Sequence, residues 1–360
     1  METLLAIGTR KGLWLARSRD RRTWDLSGPL FPVADVKAIG IDLRRGTPRL
    51  SAGVLNSHFG PTVVTSDDLG ATWSEPDDAP VAFPADTGAA LEGVWQFAYG
   101  PEPDVVHVGV EPSALFRSED GGRSYQLVRA LWEHPHRERW EPGGAGKVLH
   151  TILPHPSDPR RMSVAMSTGG VYRTEDGGHT WHPSNSGIKA DFMPEDQQYP
   201  EYGQCVHKVA VDATDPDRQY LQNHGGVYRS DDGGASWRSI AGGLPVDFGF
   251  PIVAHPHRPE VVYNFPIDSS MMRFPPDGRC RVYRSEDAGA TWTGLAKGLP
   301  EAGFWSAVMR DAMCADDADP AGIYFGSRSG EVWGSPDEGE TWSLVAAHLP
   351  DVFCVRAAVI

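Results

Sequence analysis

Two histidines occupy equivalent points in two apolar segments, His150 in VLHTIL and His207 in CVHKVA. If these segments are neighbouring strands, the two imidazole rings lie side by side. Such a pair could serve as a general base, contact an anion or bind a metal ion. The chain has no H-E-x-x-H pattern, so no cofactor is predicted, and a metal ion at His150 and His207 is kept only as an alternative. The other alternative is two structural histidines that are hydrogen-bonded inside the fold.

Carboxylates are expected near this pair. Glu92 and Glu133 are the nearest by position, and with the two histidines they form the predicted catalytic set. His58 in NSHFG and His224 in QNHGGVY fall on predicted loops of the same side and are assigned to ligand binding. A glycoside hydrolase needs two carboxylates about 5 to 10 Å apart. Further candidates for that role are Glu111, Asp191, Asp196, Asp247 and Asp268.

A group of cationic residues is predicted where the two ends of the chain meet. Arg10 in GTRKG and Arg328 in GSRSG hold equivalent places, and Arg356 on the last apolar segment is expected to approach them. Lys37 would enlarge the patch. Converging arginines are typical of carboxylate or phosphate recognition. The alternative is a set of solvated arginines, each paired with a local acid.

Tryptophans are the candidates for a sugar-stacking surface. Aligning the apolar segments that precede each repeat places Trp95, Phe250 and Trp305 at the point that His150 and His207 occupy. An indole ring there could stack on a sugar or an aromatic ligand. The alternative is ordinary packing between sheets.

These residues lie between copies of one phrase, [ST]-x-D-x-G-x-[ST]-[WY], which runs through the whole chain. VYRTEDGGHTW, VYRSDDGGASW and VYRSEDAGATW are three copies, and the first copy, SRDRRTW, is one residue short. The glycine suits a turn with positive φ, and the aspartate can accept hydrogen bonds from turn amides. A calcium loop is the alternative, but the alternating carboxylates of such loops are missing. The repeated aspartates are Asp20, Asp68, Asp120, Asp176, Asp232, Asp287 and Asp337.

Each phrase is flanked by short β-type segments, which gives four strands per repeat and seven repeats. This pattern predicts an all-β protein, a seven-bladed β-propeller with four-stranded antiparallel blades in a single domain over 1–360. The first repeat lacks an innermost strand, and VFCVRAAVI at the end has no repeat of its own. We therefore expect the C-terminal strand to join the N-terminal blade and close the ring.

The repeated phrase resembles the Asp-box, or bacterial neuraminidase repeat, of the sialidase-like superfamily, and the resemblance covers essentially the whole chain. It implies a β-propeller whose relatives include sialidases, xyloglucan-type glycosidases, sortilin and a photosystem assembly factor. The family implies no single activity. Sialidases carry a [FY]-R-I-P stretch in the first blade, whereas this chain has GTRKG at 8–12. The sialidase catalytic motifs are therefore not evident.

The phrases are expected at one end of each blade, which leaves the opposite end for a ligand. Non-repeating insertions at 127–147, 187–204 and 264–280 are predicted at that opposite end, as a wall or lid or as ordinary loop decoration.

Composition limits the class of partner. The net charge of −15 argues against nucleic acid, whose phosphates would be repelled. The four cysteines form no C-x-x-C and are read as free thiols, the first residues do not resemble a signal peptide, and no apolar segment is long enough to span a membrane. A cytoplasmic location is therefore expected.

Two functions follow. The first is a small-molecule or glycan site on the face opposite the boxes, with hydrolysis of an anionic or sugar-like substrate as its enzymatic form. The second is a non-catalytic protein-interaction scaffold or assembly factor. Its exposed anchors would be Trp132, Phe192, Met271 and Met272.

Overall fold

The computed structural model describes residues 1–74, 78–141, 146–191, 193–269 and 271–360, so Phe192 lies outside the described residues. The chain forms two compact units. The first comprises residues 1–32, 186–199 and 207–360, and the second comprises residues 33–185 and 200–206. We describe each by itself, and the single domain over 1–360 stays a prediction.

The protein is all-β, as predicted. Its one α-helix among the described residues, α1 (Arg129–Trp132), is a single turn. None of the described helices has the length and apolar character needed to cross a membrane. The short 3-10 helices are Ala85–Thr87, Arg137–Arg139, Glu195–Gln197 and Pro276–Gly278.

The first unit contains an eight-stranded sheet and two four-stranded sheets. Its strands are β1 (Thr3–Thr9), β2 (Gly12–Ser18), β3 (Asp25–Leu30), β15 (Val206–Val211), β16 (Gln219–Asn223), β17 (Val227–Ser230), β18 (Arg238–Ser239), β19 (Gly249–Ala254), β20 (Val262–Pro266), β21 (Val282–Ser285), β22 (Thr293–Leu295), β23 (Val308–Ala315), β24 (Ile323–Ser327), β25 (Val332–Ser335), β26 (Ser343–Ala346) and β27 (Val352–Val359).

The second unit contains a three-stranded sheet and two four-stranded sheets. Its strands are β4 (Ala34–Asp42), β5 (Arg49–Asn56), β6 (Gly60–Ser66), β7 (Gly93–Tyr99), β8 (Val106–Glu111), β9 (Ala114–Ser118), β10 (Gln126–Leu127), β11 (Leu149–Pro154), β12 (Met162–Met166), β13 (Gly170–Thr174) and β14 (His182–Pro183). The fourth strand after β6 is reduced to one bridge, Thr65 with Ser74.

Four-stranded antiparallel sheets are the repeating element, as the sequence predicted, and the outermost strand is always the shortest or nearly so. β-Branched and aromatic residues favour these strands because they fit a pleated, half-buried surface. VYRS forms both β17 and β21, with its tyrosine near the middle. The count of seven blades in a closed ring stays a prediction.

The C-terminal strand completes the N-terminal sheet. β27 pairs with β1 in antiparallel register, with Thr3 opposite Val359 and Ile7 opposite Val355. Its other edge meets β23 in parallel at one pair, Asp311 with Cys354. The eight-stranded sheet is therefore two four-stranded antiparallel sheets that share an edge, and one of them needs both ends of the chain.

Each unit has its own apolar core. In the first unit, Phe265, Phe325 and Trp342 form a chain of ring contacts with centroids 5.3 Å apart at each step. In the second unit, Phe116 and Tyr172 are fully buried. Burying one such side chain stabilises the fold by about 1.5–3 kcal/mol.

The repeated aspartates lie in the turn after the third strand of each sheet. Asp232 shows the pattern: Oδ1 accepts hydrogen bonds from Ser230 Oγ at 2.7 Å and from the Ser236 amide at 2.9 Å, and Oδ2 accepts one from Ser236 Oγ at 2.6 Å. The amide of Gly234, which has φ of +86°, donates to Ser230 Oγ. Both carboxylate oxygens are thus engaged by the turn, as expected of a structural aspartate. The shorter first copy does the same through Asp20, which accepts from the amides of Arg22 and Thr23.

The innermost strands share an irregularity at the other end of the sheet. One extra residue interrupts the register of β4 after Val36, of β7 after Val94 and of β11 after Leu149, and β19 has a similar shift. Such bulges redirect a side chain out of the regular alternation. The residues at these points are Lys37, Trp95, His150 and, in β19, Phe250.

Candidate functional site

The best-formed candidate site of the second unit is a carboxylate held by a tryptophan. Trp95, at the bulge of β7, donates its indole N–H to Oε2 of Glu111 at 3.0 Å. Glu111 ends β8, and the next turn along the chain that carries a repeated aspartate follows β9, so the carboxylate lies at the opposite end of its sheet from that turn. The ammonium group of Lys37 lies 5.1 Å from the centre of the Trp95 ring, which is a cation–π contact.

The environment raises the pKa of Glu111 above its ordinary value. Its half-buried position raises its pKa, the Trp95 hydrogen bond and Lys37 oppose that rise, and the charge of Glu92 adds to it. Glu92 is adjacent because its amide donates to the Glu111 carbonyl at 2.8 Å. Gly146 lies beside Oε1 of Glu111 and has a φ of +87°, a backbone conformation that favours glycine.

This arrangement can donate a proton beside an aromatic surface. A carboxyl group with a raised pKa is the usual general acid, and a second carboxylate next to it can act as base or nucleophile. The tryptophan supplies an apolar face with a polar edge, which suits a sugar ring. Sequence reasoning had named Glu92, Lys37 and Trp95 and had left Glu111 among several open candidates.

Glu133 does not belong to this site. It is exposed at the end of α1 and pairs with Arg129, which also pairs with Asp86 at 2.7 Å. Its carboxylate belongs to a solvated surface ion-pair group, and its catalytic role stays a prediction.

His150 is a structural residue. Its side chain is fully buried, Nδ1 lies 3.0 Å from Thr151 Oγ1, and Nε2 lies 3.0 Å from the carbonyl of Val206. Both ring nitrogens are engaged by the protein, so the ring lacks the available nitrogen that a base or a metal ligand requires. This geometry favours the alternative of a hydrogen-bonded structural histidine, while the catalytic role of His150 and a metal at His150 and His207 stay predictions.

In the first unit, His207 is close to His224. Their ring centres are 5.6 Å apart, and Phe248 lies beside both rings. Nδ1 of His207 lies 2.5 Å from the Gly249 carbonyl, so a neutral ring donates from Nδ1 and carries its lone pair on Nε2. Burial lowers the pKa of both histidines, and for His207 the charge of Arg310 lowers it further. Both rings are therefore neutral at pH 7.

Two arginines lie against the neighbouring aromatic ring. The guanidinium carbons of Arg273 and Arg310 are 5.5 and 5.8 Å from the centre of Phe250, and His207 is 4.7 Å from the same ring. Phe250 and Arg310 are both about 95% buried. Sequence reasoning had aligned Phe250 with the histidines but did not single out Arg310.

Next to them is a buried ion-pair group. Lys208 Nζ and Arg356 Nη2 lie 2.7 and 2.6 Å from the same oxygen, Oδ1 of Asp311. Arg356 was expected to approach Arg10 and Arg328, but its guanidinium pairs with Asp311 instead. It also donates to the carbonyls of Asp311 and Val355. Sequence reasoning missed Lys208 and Asp311, although the charged pair RD inside the apolar β23 was a usable signal.

Arg10 and Arg328 do come together, through one acid. Arg10 Nη2 is 3.2 Å from Oδ2 of Asp351, and Arg328 Nε is 3.0 Å from its Oδ1. Both arginines are exposed. Arg10 and Arg328 therefore match the alternative of solvated arginines paired with a local acid, since the Asp351 carboxylate pairs with both.

Two further predicted ligand residues are on loops. Trp305 lies before β23 begins rather than on an inner strand, is 63% exposed, and meets Phe274 edge to face at 5.1 Å. The residue that lies in the irregular part of the innermost strand β23, where Trp305 was expected, is Arg310. His58 is exposed in the β5–β6 turn, where its amide donates to Asn56.

The insertion at 127–147 begins on an unexpected side. Residues 126–130 line a cleft of about 590 Å³ together with Asp120, Gly177, Gly178 and His179. These belong to the turns of the repeated phrase, so at least the start of this insertion lies beside those turns and not opposite them. The outermost strand β10 has two residues, so the chain leaves the sheet next to the turn.

Comparisons with known proteins relate part of the chain to glycosidases. No family model matches. A xyloglucanase from Paenibacillus sp is 26% identical over 231 residues, which cover 56% of this chain and 21% of that protein. Xyloglucanase Xgh74A of Acetivibrio thermocellus is 25% identical over 235 residues, which cover 56% and 26%. This chain thus spans about a quarter or less of the length of these curated relatives.

Solved structures show the fold. An ancestral GH74 enzyme matches with a TM-score of 0.56 at 15% identity, over 86% of this chain and 38% of that one. YCF48 from Cyanidioschyzon merolae matches with a TM-score of 0.53 at 16% identity, over 88% and 86%. YCF48 bound to a D1 peptide has a TM-score of 0.50 at 15% identity, over 87% and 82%. The chain therefore has a fold of the β-propeller class, and the sialidase-like relationship stays a prediction.

Proposed function

We propose that this protein binds a glycan at the site formed by Lys37, Glu92, Trp95 and Glu111 and cleaves it as a glycosidase-like hydrolase. The observation that carries the proposal is the hydrogen bond from Trp95 to Glu111, a carboxylate whose environment raises its pKa. The partial sequence match to xyloglucanases supports the same class of substrate.

The proposed chemistry divides between the two carboxylates. Glu111 gives its proton to the glycosidic oxygen as the C–O bond breaks, so the leaving sugar departs as a neutral alcohol. Glu92 removes a proton from water that attacks the anomeric carbon, or attacks that carbon itself before water releases the sugar. Trp95 stacks on the sugar, and Lys37 stabilises the carboxylate that Glu111 becomes.

The substrate class is a polysaccharide or a sugar derivative. Xyloglucan is the first to test because the matched relatives are xyloglucanases. An anionic sugar, the other substrate class that the sequence suggested, is the second. The cytoplasmic location stays a prediction.

The test compares the full chain with Glu111→Gln and with a matched control, Glu133→Gln. Reducing-end release from xyloglucan and a panel of aryl glycosides is measured, together with oligosaccharide binding by calorimetry. We expect Glu111→Gln to lower turnover by about a hundredfold or more, the size of a general-acid contribution, while it retains binding. The exposed Glu133→Gln should equal the parent. Equal turnover in Glu111→Gln, or no glycan bound by the parent, would overturn the proposal.

A second candidate function is peptide or protein binding by the first unit. Met271 and Met272 are 89% and 58% exposed, and Trp305 is 63% exposed against Phe274 from the same loop as the methionines. Exposed aromatic and methionine side chains are typical anchors of an interface. One structural neighbour is bound to a peptide.

Peptide selection against the full chain distinguishes the two functions. A selected peptide that binds at this loop should lose at least about tenfold in affinity on Met271→Ser with Met272→Ser, the size of one hot-spot loss. Glu111→Gln should leave peptide binding unchanged. Peptide binding that survives the double substitution would exclude this loop.

A further inference from the structure

We infer that the first unit contains a binding pocket for a small oxyanion, a carboxylate or phosphate group, formed by Arg279 and Arg281 between β20 and β21. Most residues of this pocket belong to the non-repeating insertion at 264–280 or follow it directly. The inference does not rest on the proposed glycan site, which belongs to the other unit. It also makes no use of Met271 and Met272, the anchors of the second candidate function.

The pocket is a cavity of about 100 Å³ at one end of its sheet. Pro266 ends β20 and Val282 begins β21, whereas the repeated aspartate Asp287 follows the other end of β21. The pocket therefore lies away from the turn of the repeated phrase. Liquid water occupies about 30 Å³ per molecule, so the cavity has room for roughly three waters. That space suits a carboxylate or a phosphate group and is too small for a sugar ring.

Prolines make up much of the lining and give it a rigid shape. They are Pro245, Pro266, Pro275 and Pro276. A proline has a fixed φ and no backbone N–H, so these residues offer a ligand apolar walls and no amide donors. The strongest donors of the lining are therefore side chains, the guanidinium groups of Arg279 and Arg281 and the hydroxyl of Tyr283.

The two arginines lack a counter-charge within the part of the chain that the structure describes. Neither guanidinium has an ion pair or a hydrogen bond there. Other arginines of the same unit are paired, as Arg218 is with Asp231 and Glu260. An arginine offers paired N–H donors to the oxygens of a carboxylate or a phosphate. Two unpaired arginines that line one cavity therefore predict an anionic ligand.

The side chain of Arg281 is supported by its neighbours. Its Cδ and the Tyr283 ring lie 3.5 and 3.4 Å from the position that a Cβ on Gly294 would occupy, so the stem and the ring lie side by side. Arg281 is partly buried, whereas Arg279 is exposed. An arginine whose stem packs against a ring loses less freedom when it binds a ligand, and this favours affinity.

The acidic residue of the lining is Asp277. It is exposed and makes no ion pair with Arg279 or Arg281 in the described structure. Its charge opposes the binding of an anion. Its φ is +58°, a conformation that asparagine adopts as readily as aspartate does. Asp277→Asn therefore removes the opposing charge and keeps the backbone as it is.

Inorganic phosphate and succinate are the two probes, titrated calorimetrically into the full chain at constant ionic strength. Stronger binding of phosphate indicates a phosphorylated ligand, and stronger binding of succinate indicates a carboxylic acid. Saturable binding of either probe supports the pocket.

The variants are Arg279→Gln and Arg281→Gln. The matched control is Arg238→Gln, because Arg238 is an exposed arginine of the same unit that has an acidic partner. We expect each of the first two variants to weaken binding by about tenfold, the value of a lost charged hydrogen bond, and the control to bind like the parent. Asp277→Asn should strengthen binding by about twofold to fivefold, since it removes an exposed negative charge. Circular dichroism checks that each variant is folded.

Three results would overturn the inference. One is the absence of saturable binding of both anions to the parent. Another is equal binding by the parent and folded Arg279→Gln, which decides alone if Arg281→Gln does not fold. The third is weaker binding by Asp277→Asn, because the loss of a negative charge cannot weaken a site for anions.

Discussion

Trp95 Nε1 lies 3.0 Å from Oε2 of Glu111, and this bond joins the innermost strand of a sheet to the end of the next strand. It orients the carboxylate and opposes the rise in its pKa that burial causes. A raised pKa is the property that a general acid requires.

Trp95→Phe should raise the pKa of Glu111 further, because the ionised form loses a hydrogen bond. Since a general acid acts when protonated, the alkaline limb of glycan hydrolysis should move to higher pH. Carbon NMR titration of the Glu111 carboxyl measures the pKa without relying on activity. An unchanged or lower pKa in Trp95→Phe would contradict the assigned role of the bond.

His150→Ala should destabilise the protein by about 2–4 kcal/mol, because it leaves a cavity and removes the ring that bonds Thr151 Oγ1 and the Val206 carbonyl. Urea unfolding measures the change in the free energy of unfolding. The matched control is His58→Ala in an exposed turn, expected within about 0.5 kcal/mol of the parent. A His150→Ala protein that keeps its stability and loses only activity would support the predicted catalytic role of this histidine.

Asp337→Ala should lower the free energy of unfolding by about 1–2 kcal/mol, since its carboxylate accepts bonds from Ser335 Oγ and from the amide and hydroxyl of Thr341. Thermal unfolding of the variant checks this. The control is Ser343→Ala, on the strand that follows the turn. Ser343 makes none of the three hydrogen bonds to Asp337, so its substitution should lower the free energy of unfolding by less.

Acid should weaken the repeated turns together. Hydrogen bonds lower the pKa of Asp68 to about 2, and, against the effect of burial, that of Asp120 to about 2, whereas an unfolded aspartate has a pKa near 3.9. The folded protein therefore binds fewer protons, and the stability contributed by these carboxylates is complete above about pH 4 and lost as pH falls toward 2. Circular dichroism between pH 5 and 2 follows the loss, and Asp68→Asn should show a shallower dependence; an equally steep dependence would count against the turn bonds as its origin.

Asp311→Asn should be strongly destabilising, by about 3–5 kcal/mol, because it leaves Lys208 and Arg356 buried without their carboxylate. Asp351→Asn removes the acid between the exposed Arg10 and Arg328 and should cost about 1 kcal/mol or less. Chemical denaturation of both variants gives the comparison. Similar losses in the two would show that burial does not set the strength of the Asp311 pairs.

Strand order and the turns were accessible from the sequence because they depend on local chemistry. A serine, an aspartate and a glycine at fixed spacing can complete their hydrogen bonds within one turn, as Asp232 shows. The motif alone therefore predicts the turn. The pairing of the last strand with the first followed from counting strands. Trp95 and Phe250 were aligned correctly because the bulges repeat at one point of the inner strands.

The bond partners of the charged and polar side chains could not be predicted from the sequence. The sequence shows His150 and His207 in the same local pattern, yet the first is closed off by Thr151 and a carbonyl while the second stands beside His224. It shows Arg10, Arg328 and Arg356 as similar cations, yet only Arg356 reaches Asp311. Local propensity and periodicity determine which residues form strands and turns. Burial, bond partners and pKa depend on residues far apart in the chain, and these are set only when the sheets pack together.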